Sequence, residues 1–235
     1  MKVLLLGDGR DDVGAPGKSG DPLSEKRWGA LHILVARLLQ DHGVSTFEFI
    51  TPLPKGVALR DGVSRRALPQ DRFLRRHIDF FLTAVLSPAR EQGVMIVIQD
   101  QDCDDRRLSR LEEDARQAMS GIARDVLLGL ICAVSVECTE NWLLCHGWPP
   151  AHRDCHDLVH PSKLGCAGNR NRAKVIFDQV HGGGPGPRRD AAQRIARRSQ
   201  TTELRRLREA EDFCLLESRL QQIKWPPLGG RGKNS

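Results

Sequence analysis

The sequence lacks any long apolar run. Its longest, residues 126–136, spans eleven residues, whereas a membrane-spanning helix needs about twenty. The run from Val3 to Leu6 meets Gly7 and Asp8 at once, so no hydrophobic signal-peptide region is expected. The seven cysteines are odd in number and lack framework spacing, which fits a reducing compartment. Together these absences predict a cytoplasmic protein without a membrane segment.

The sequence also lacks a complete phosphate-loop or zinc motif. Gly17–Ser19 resembles the end of a phosphate loop, but the glycine required five residues before Gly17 is replaced by Asp12. Gly7 and Gly9 begin like a dinucleotide fingerprint, yet the third glycine position is again Asp12, which would repel a pyrophosphate. One group of cysteines and histidines has neither a C-x-x-C pair nor helical periodicity, which favours a loop over a zinc site: Cys145, His146, His152, Cys155, His156 and His160.

Charge is unevenly distributed along the chain. The 36 Lys and Arg residues exceed the 30 Asp and Glu residues, giving a net charge of +6. Residues 181–235 contain twelve Lys or Arg and six Asp or Glu, whereas residues 1–180 contain equal numbers of each sign. The whole basic excess therefore lies in the C-terminal segment. Such a segment favours encounters with nucleic acid or another polyanion, although Arg-rich helices are often merely solvated.

Apolar runs and helical periodicities alternate through the first 180 residues. Four strands are predicted, at residues 3–6, 44–50, 94–98 and 130–136, and the runs 3–6 and 94–98 are apolar throughout. Helical spacing predicts three helices between them, around residues 28–39, 73–85 and 108–119. Ser24 is the predicted cap of the first helix, and Gly43 its predicted end. The alternation predicts an α/β fold with flanking helices and a mainly parallel sheet of four or slightly more strands.

The pattern changes after the fourth predicted strand. A short helix is predicted after Thr139, another around Ala173–Val180, and the Gly- and Pro-rich residues 182–187 break the chain before two Arg-rich helices. Residues 226–235 have the composition of a disordered tail. The predicted organisation is an α/β domain over 1–180, a basic helical C-terminal extension over 181–225 that packs on the side of the sheet, and the tail.

Acidic residues follow the first and third predicted strands. Asp8 ends the first strand and Asp12 follows closely, while Asp100 and Asp102 end the third. Residues two apart on an extended segment point the same way, so Asp100 and Asp102 can face one point, and Asp8 faces it too if the strands are neighbours. Carboxylates this close repel each other unless a cation neutralises them. Oxygen ligands favour Mg²⁺ or Mn²⁺ over zinc, so a divalent metal site is predicted here.

These motifs resemble the topoisomerase–primase (TOPRIM) domain. That family has an acidic residue followed by glycine after its first strand and an Asp-x-Asp pair after its third, as in Asp8-Gly9 and Asp100-Gln101-Asp102. The likeness is greatest to the compact TOPRIM domains of the overcoming-lysogenization-defect nucleases and to related small bacterial proteins. Some of these small proteins have a Glu–small–Trp–Leu–Leu stretch where this chain has residues 140–144. The resemblance covers roughly residues 1–180.

The resemblance implies a Mg²⁺-dependent nuclease that acts on DNA or RNA. Asp8 would be a metal ligand or general acid/base, and Asp100 and Asp102 would bind Mg²⁺ or Mn²⁺, so that water is activated and phosphodiester charge stabilised. Further candidate metal ligands are Asp11, Asp12 and Glu140. Candidate phosphate contacts are Arg106 or Arg107, Lys163 and Lys174. The resemblance further implies a partner ATPase of the ABC or AAA type and a role in phage defence.

Two other functions stay open at this point. The usual acid after the first strand of the family is Glu, whereas this chain has Asp8, whose carboxyl group is retracted by about 1.5 Å, one carbon–carbon bond. This difference supports a non-catalytic TOPRIM-like module that binds a nucleotide, nucleic acid or a protein partner. A phosphoacceptor receiver domain is less favoured, because Asp8 and Asp100 are farther apart than two short βα units would place them.

Overall fold

The described part of this computed structural model covers residues 1–7, 13, 17–54, 69–100, 104, 106–123, 125–135, 140, 142–143, 177–179, 181–197, 207–208 and 211–225. Strands and helices alternate over its first half: β1 (Lys2–Leu6), α1 (Ala30–Asp41), β2 (Glu48–Ile50), α2 (Gln70–Phe80), β3 (Gly93–Asp100), α3 (Arg107–Ala118) and β4 (Leu127–Ser135). Two further helices follow, α4 (Pro185–Arg197) and α5 (Glu211–Gln221). Among these residues no helix is both long enough and apolar enough to cross a membrane.

The four strands form one all-parallel sheet in the order β2-β1-β3-β4. Leu6 of β1 pairs with Val97 of β3, and Asp100 at the end of β3 pairs with Ser135 at the end of β4. The predicted α/β fold with a parallel four-stranded sheet is therefore confirmed. From β1 the chain moves to β2 on one side and then returns to β3 on the other, so the direction of strand addition reverses between β1 and β3.

Each face of the sheet is covered by helices. Alternate strand residues such as Val3 and Leu5 belong to a core shared with α1, α4 and α5, whereas Leu4 and Leu6 belong to a core shared with α2 and α3. This arrangement follows from strand geometry, because successive side chains point to opposite faces. The C-terminal helices contribute fully buried residues to the first core: Ala191, Ala192, Phe213, Leu216 and Leu220.

The start of α1 differs from the sequence prediction. Ser24 precedes a separate short 3-10 helix, Glu25–Arg27, and makes no side-chain capping bond, while Gly29 occupies the N-cap of α1. The predicted cap is therefore wrong. Trp28 has an extended backbone between the two helices and its indole N–H donates to the Leu23 carbonyl at 2.9 Å, which fixes the break. Gly43 ends the turn after α1 with a positive φ of 76°, as predicted.

Three other secondary-structure elements also differ from the sequence prediction. Helix α2 passes at Phe81 into a π-helical stretch, Phe81–Leu86, where a regular helix was predicted. The Thr83 hydroxyl donates to the Asp79 carbonyl at 2.7 Å, an interaction that competes with regular helix bonding. Strand β2 begins at Glu48 rather than at residue 44, and α4 begins at Pro185, so the glycine break is shorter than predicted. Proline fits the first turn of a helix, where its missing N–H costs nothing.

Candidate functional site

The carboxyl ends of β1 and β3 lie side by side. The register of the two strands runs from Lys2 opposite Gly93 to Leu6 opposite Val97 without interruption. Strand β3 continues three residues beyond this last pair, to Asp100, and stays paired there with β4. In an open parallel sheet, the crevice at which strand order reverses is the usual ligand site. That crevice lies here between β1 and β3, the two strands whose ends carry the predicted acidic motifs.

Asp100 is held in place by strand β4. Its Oδ1 atom accepts a hydrogen bond from the Ser135 hydroxyl at 3.0 Å, and Ser135 is fully buried. The two residues pair across the strand ends, so both side chains lie on the same face of the sheet. Ser135 was not singled out from the sequence, because its role depends on the pairing of β3 with β4. Asp100 thus presents a carboxylate of fixed orientation at the carboxyl edge.

Several predicted site residues lie outside the described part of the chain. They are Asp8, Asp11, Asp12, Asp102, Lys163 and Lys174, and the Cys- and His-rich residues 145–160 lie outside it as well. Within the described ranges, no three His, Cys, Asp or Glu side chains are grouped closely enough to hold a metal ion. The metal-binding roles of Asp8, Asp12 and Asp102 therefore stay predictions.

Glu140 has a buried cationic partner. Its carboxylate forms an ion pair with the guanidinium of Arg188, and both side chains are only 6% exposed. Arg188 lies in the first turn of α4, so the pair connects this helix to the segment after β4. Arg188 supplies the counter-charge that this carboxylate needs, so charge balance at Glu140 does not require a metal. The role of Glu140 as a further metal ligand stays a prediction.

The side chains of the two arginines at the start of α3 have different surroundings. Arg106 is exposed, and its backbone N–H donates to Oδ1 of Asp104 at 3.2 Å. Arg107 is partly buried, and its Nε donates to the side-chain oxygen of Gln99 at 3.2 Å, next to Asp100 in sequence. Arg107 is therefore tied to the end of β3, whereas the Arg106 side chain lies in solvent. The phosphate contact predicted for Arg106 stays a prediction.

Two arginines of the basic C-terminal segment, Arg208 and Arg219, make ion pairs within the chain. Arg208 pairs with Glu217 and with Asp41 of α1, at 2.8 Å and 3.2 Å respectively. Arg219 donates to the backbone oxygen of Cys132 and forms an ion pair with Glu112, which bridges the outer edge of β4. Glu217 accordingly has its pKa lowered, chiefly by the hydrogen bond from Arg208. Arg208 and Arg219 therefore help to attach the C-terminal helices to the α/β core.

Buried titratable groups elsewhere are poor candidates for catalysis. Burial lowers the pKa of His32 to about 3, and its ring packs edge-on against Phe49 with centroids 4.6 Å apart. Burial also lowers the pKa of His77, whose Nδ1 lies 3.0 Å from the Phe73 carbonyl oxygen. The pKa of the Cys132 thiol is raised to about 12, mainly by burial. All three groups are therefore neutral near pH 7, and Cys132 is a buried core residue.

A separate cavity of about 850 Å³ opens between α3, α5 and the outer edge of β4. Its lining includes Met119, Leu130 and Ile223, together with the Arg219–Glu112 pair. The β4 residues that line it are 128–132, so it lies along the middle of the strand and not at the carboxyl end. This cavity is therefore distinct from the crevice beside Asp100.

The chain therefore belongs to the class of α/β proteins that have a parallel sheet in which the direction of strand addition reverses. Comparison with known proteins matches the chain to no family model, no curated protein and no solved structure.

Proposed function

We propose that this protein is a Mg²⁺-dependent phosphodiesterase that acts as a nuclease on DNA or RNA. The observation that carries the proposal is the reversal of strand order between β1 and β3. It places the carboxyl ends of these two strands side by side, and each strand is followed by acidic residues in the sequence. Asp8 comes two residues after the end of β1, and Asp100 ends β3 itself. Carboxylates drawn from both strand ends form the oxygen-rich donor set that Mg²⁺ prefers.

In this proposal Asp8, Asp100 and Asp102 hold the cation, and Ser135 orients one of them. A bound divalent cation would supply charge stabilisation at the phosphodiester and acidify a water molecule. The Ser135 hydroxyl donates to Oδ1 of Asp100, which restricts rotation of the carboxylate at the end of β3. Asp8 is the candidate to accept a proton from the attacking water. Arg107, held by Gln99 at the end of β3, is better placed than Arg106 to stay near the site.

Cleavage of plasmid DNA and of transfer RNA, with Mg²⁺ or Mn²⁺, tests the proposal. The wild-type protein should cleave at least one of them, EDTA should stop cleavage, and an Asp100→Asn/Asp102→Asn double variant should lose it. Asp125→Asn is the matched control, because Asp125 precedes β4 at the opposite edge of the sheet. Equal cleavage by the double variant would identify a contaminant and refute the proposal.

Replacing Ser135 tests the positioning role separately. Outer-shell partners of metal ligands are typically worth about 10- to 100-fold in metal affinity or activity. We therefore expect Ser135→Ala to lower the apparent Mg²⁺ affinity about tenfold, and excess Mg²⁺ should restore much of the rate. Loss of activity that no Mg²⁺ concentration restores would instead indicate a purely structural role for Ser135.

The non-catalytic alternative predicts a different result. A TOPRIM-like module that binds without turnover would take up Mn²⁺ and nucleic acid, yet leave both substrates intact at every metal concentration. A partner ATPase and a function in phage defence follow from the resemblance alone. We also propose a cytoplasmic location, where the cysteines would remain reduced.

A further inference from the structure

A turn next to β2 brings a second set of polar groups to the carboxyl edge. Residues 20–23 run antiparallel beside β2: the Gly20 N–H donates to the Thr51 carbonyl at 3.0 Å, and the Leu23 N–H to the Phe49 carbonyl at 2.7 Å. Farther along, the Ser19 hydroxyl donates to the Pro52 carbonyl at 3.1 Å. Because Pro52 lies beyond the end of β2, these contacts place the turn that includes Ser19 at the same edge of the sheet as Asp100.

Thr51 directly follows β2, and its hydroxyl has no partner among the residues that the structure describes. Thr51 is 2% exposed, and its Oγ1 makes no hydrogen bond to any of these residues. A buried hydroxyl left unsatisfied costs about 1–3 kcal/mol, and valine has the same shape without that cost. No hydrogen bond within the described part of the chain offsets this cost, whereas an anion that reached the Thr51 hydroxyl would accept a bond from it.

Gly17 and Arg27 flank the Thr51 hydroxyl. A Cβ atom placed on Gly17 would lie 3.0 Å from Thr51 Oγ1 and 3.1 Å from a guanidinium nitrogen of Arg27. The Thr51 hydroxyl and the Arg27 guanidinium therefore both lie close to Gly17, which is partly exposed, and a larger residue at position 17 would crowd both groups. Arg27 is itself exposed and forms no ion pair within the described ranges. A hydroxyl and a guanidinium together suit an oxygen of an anion, and the planar guanidinium fits phosphate in particular.

We infer that Gly17, Arg27 and Thr51 form a binding site for a phosphate group of a nucleic-acid strand. This phosphate group is a different one from the phosphate that is cleaved. Strand β2 is two inter-strand spacings, about 10 Å, from β3, so a phosphate held here cannot be the one beside Asp100. A strand lying across the carboxyl edge from β3 to β2 would meet both. The choice of nucleic acid as ligand rests on the proposed function, whereas phosphate binding at this site does not require cleavage.

Binding of fluorescein-labelled single-stranded DNA and RNA oligonucleotides to the full-length protein in EDTA tests this inference without cleavage. Arg27→Gln should lower the affinity about tenfold and reduce the slope of log affinity against log salt by about one. Thr51→Val and Gly17→Ala should each weaken binding severalfold. Lys26→Gln is the matched control, because Lys26 is a neighbouring exposed cation of the same 3-10 helix, and its effect should stay below about twofold.

The outcomes separate this inference from the nuclease proposal. Equal effects of Arg27→Gln and Lys26→Gln, or wild-type affinity of Thr51→Val, would overturn the phosphate site even if metal-dependent cleavage occurs. Conversely, loss of affinity in Arg27→Gln without any cleavage by the wild-type protein would support the site and refute the nuclease. Equally strong displacement of the oligonucleotide by adenosine monophosphate would overturn the assignment to a strand. If Thr51→Val melts at or above the temperature of the wild type, misfolding is excluded as the cause of its weaker binding.

Discussion

Replacing Arg188 with methionine should strongly destabilise the fold. The Glu140 and Arg188 side chains are each 6% exposed, so the substitution leaves a carboxylate buried without its counter-charge. Breaking a buried ion pair from one side typically costs about 3–5 kcal/mol. For a chain of this size each kcal/mol shifts the melting temperature by about 2–4 °C, so a fall of about 10 °C is expected.

Urea unfolding followed by circular dichroism measures this loss. Arg116→Met is the matched control, because Arg116 pairs with Glu113 on the surface with its side chain 71% exposed, and should cost less than about 0.5 kcal/mol. The Glu140→Gln/Arg188→Met double variant should recover much of the lost stability, since it removes both charges. If Arg188→Met lowers the unfolding free energy no more than Arg116→Met does, the buried Glu140–Arg188 pair is no more important for stability than a surface pair.

Three further predictions concern buried positions. Burial lowers the pKa of His32 to about 3, so this residue stays neutral in the folded protein, whereas in the unfolded chain it takes up a proton below about pH 6.5. The free energy of unfolding should therefore fall as the pH drops. Between pH 7 and pH 4 the wild type should lose about 3 kcal/mol more than His32→Leu, and equal losses in urea unfolding would contradict this. Thr51→Val should raise the unfolding free energy by about 1 kcal/mol, because it removes an unsatisfied hydroxyl; a clear decrease would show that the hydroxyl has a partner. Gly93→Ala should lower the melting temperature by several degrees, at about 1–3 kcal/mol, since its Cβ would lie 2.7 Å from the Phe81 ring; an unchanged value would show that this ring moves easily.

The strands and main helices were predictable because their signals are local. The run Val94–Ile98 is apolar at every position, and both faces of β3 are indeed buried between helices. Helix boundaries were less predictable where competing local bonds decide them. Ser24 has the chemistry of a cap, but the bond from Trp28 to Leu23 separates its 3-10 helix from α1.

The surroundings of the site were predictable only in part. Acidic residues at two strand ends are visible in the sequence, and the sheet order adds that β1 and β3 are neighbours. The Ser135–Asp100 and Arg188–Glu140 contacts could not be read from spacing, because each joins segments that meet only through tertiary structure. The same holds for the approach of Arg27 to Gly17 and Thr51, which depends on the chain folding back along β2.

We propose that a divalent cation binds between the ends of β1 and β3 with Asp100 as a ligand. Titration with Mn²⁺, followed by electron paramagnetic resonance of the free ion, measures this directly in the wild type, Asp100→Asn and Asp125→Asn. We expect the wild type and Asp125→Asn to bind Mn²⁺ equally, and Asp100→Asn to bind it at least about tenfold more weakly. Equal Mn²⁺ affinity in all three proteins would show that Asp100 is not a ligand of the cation.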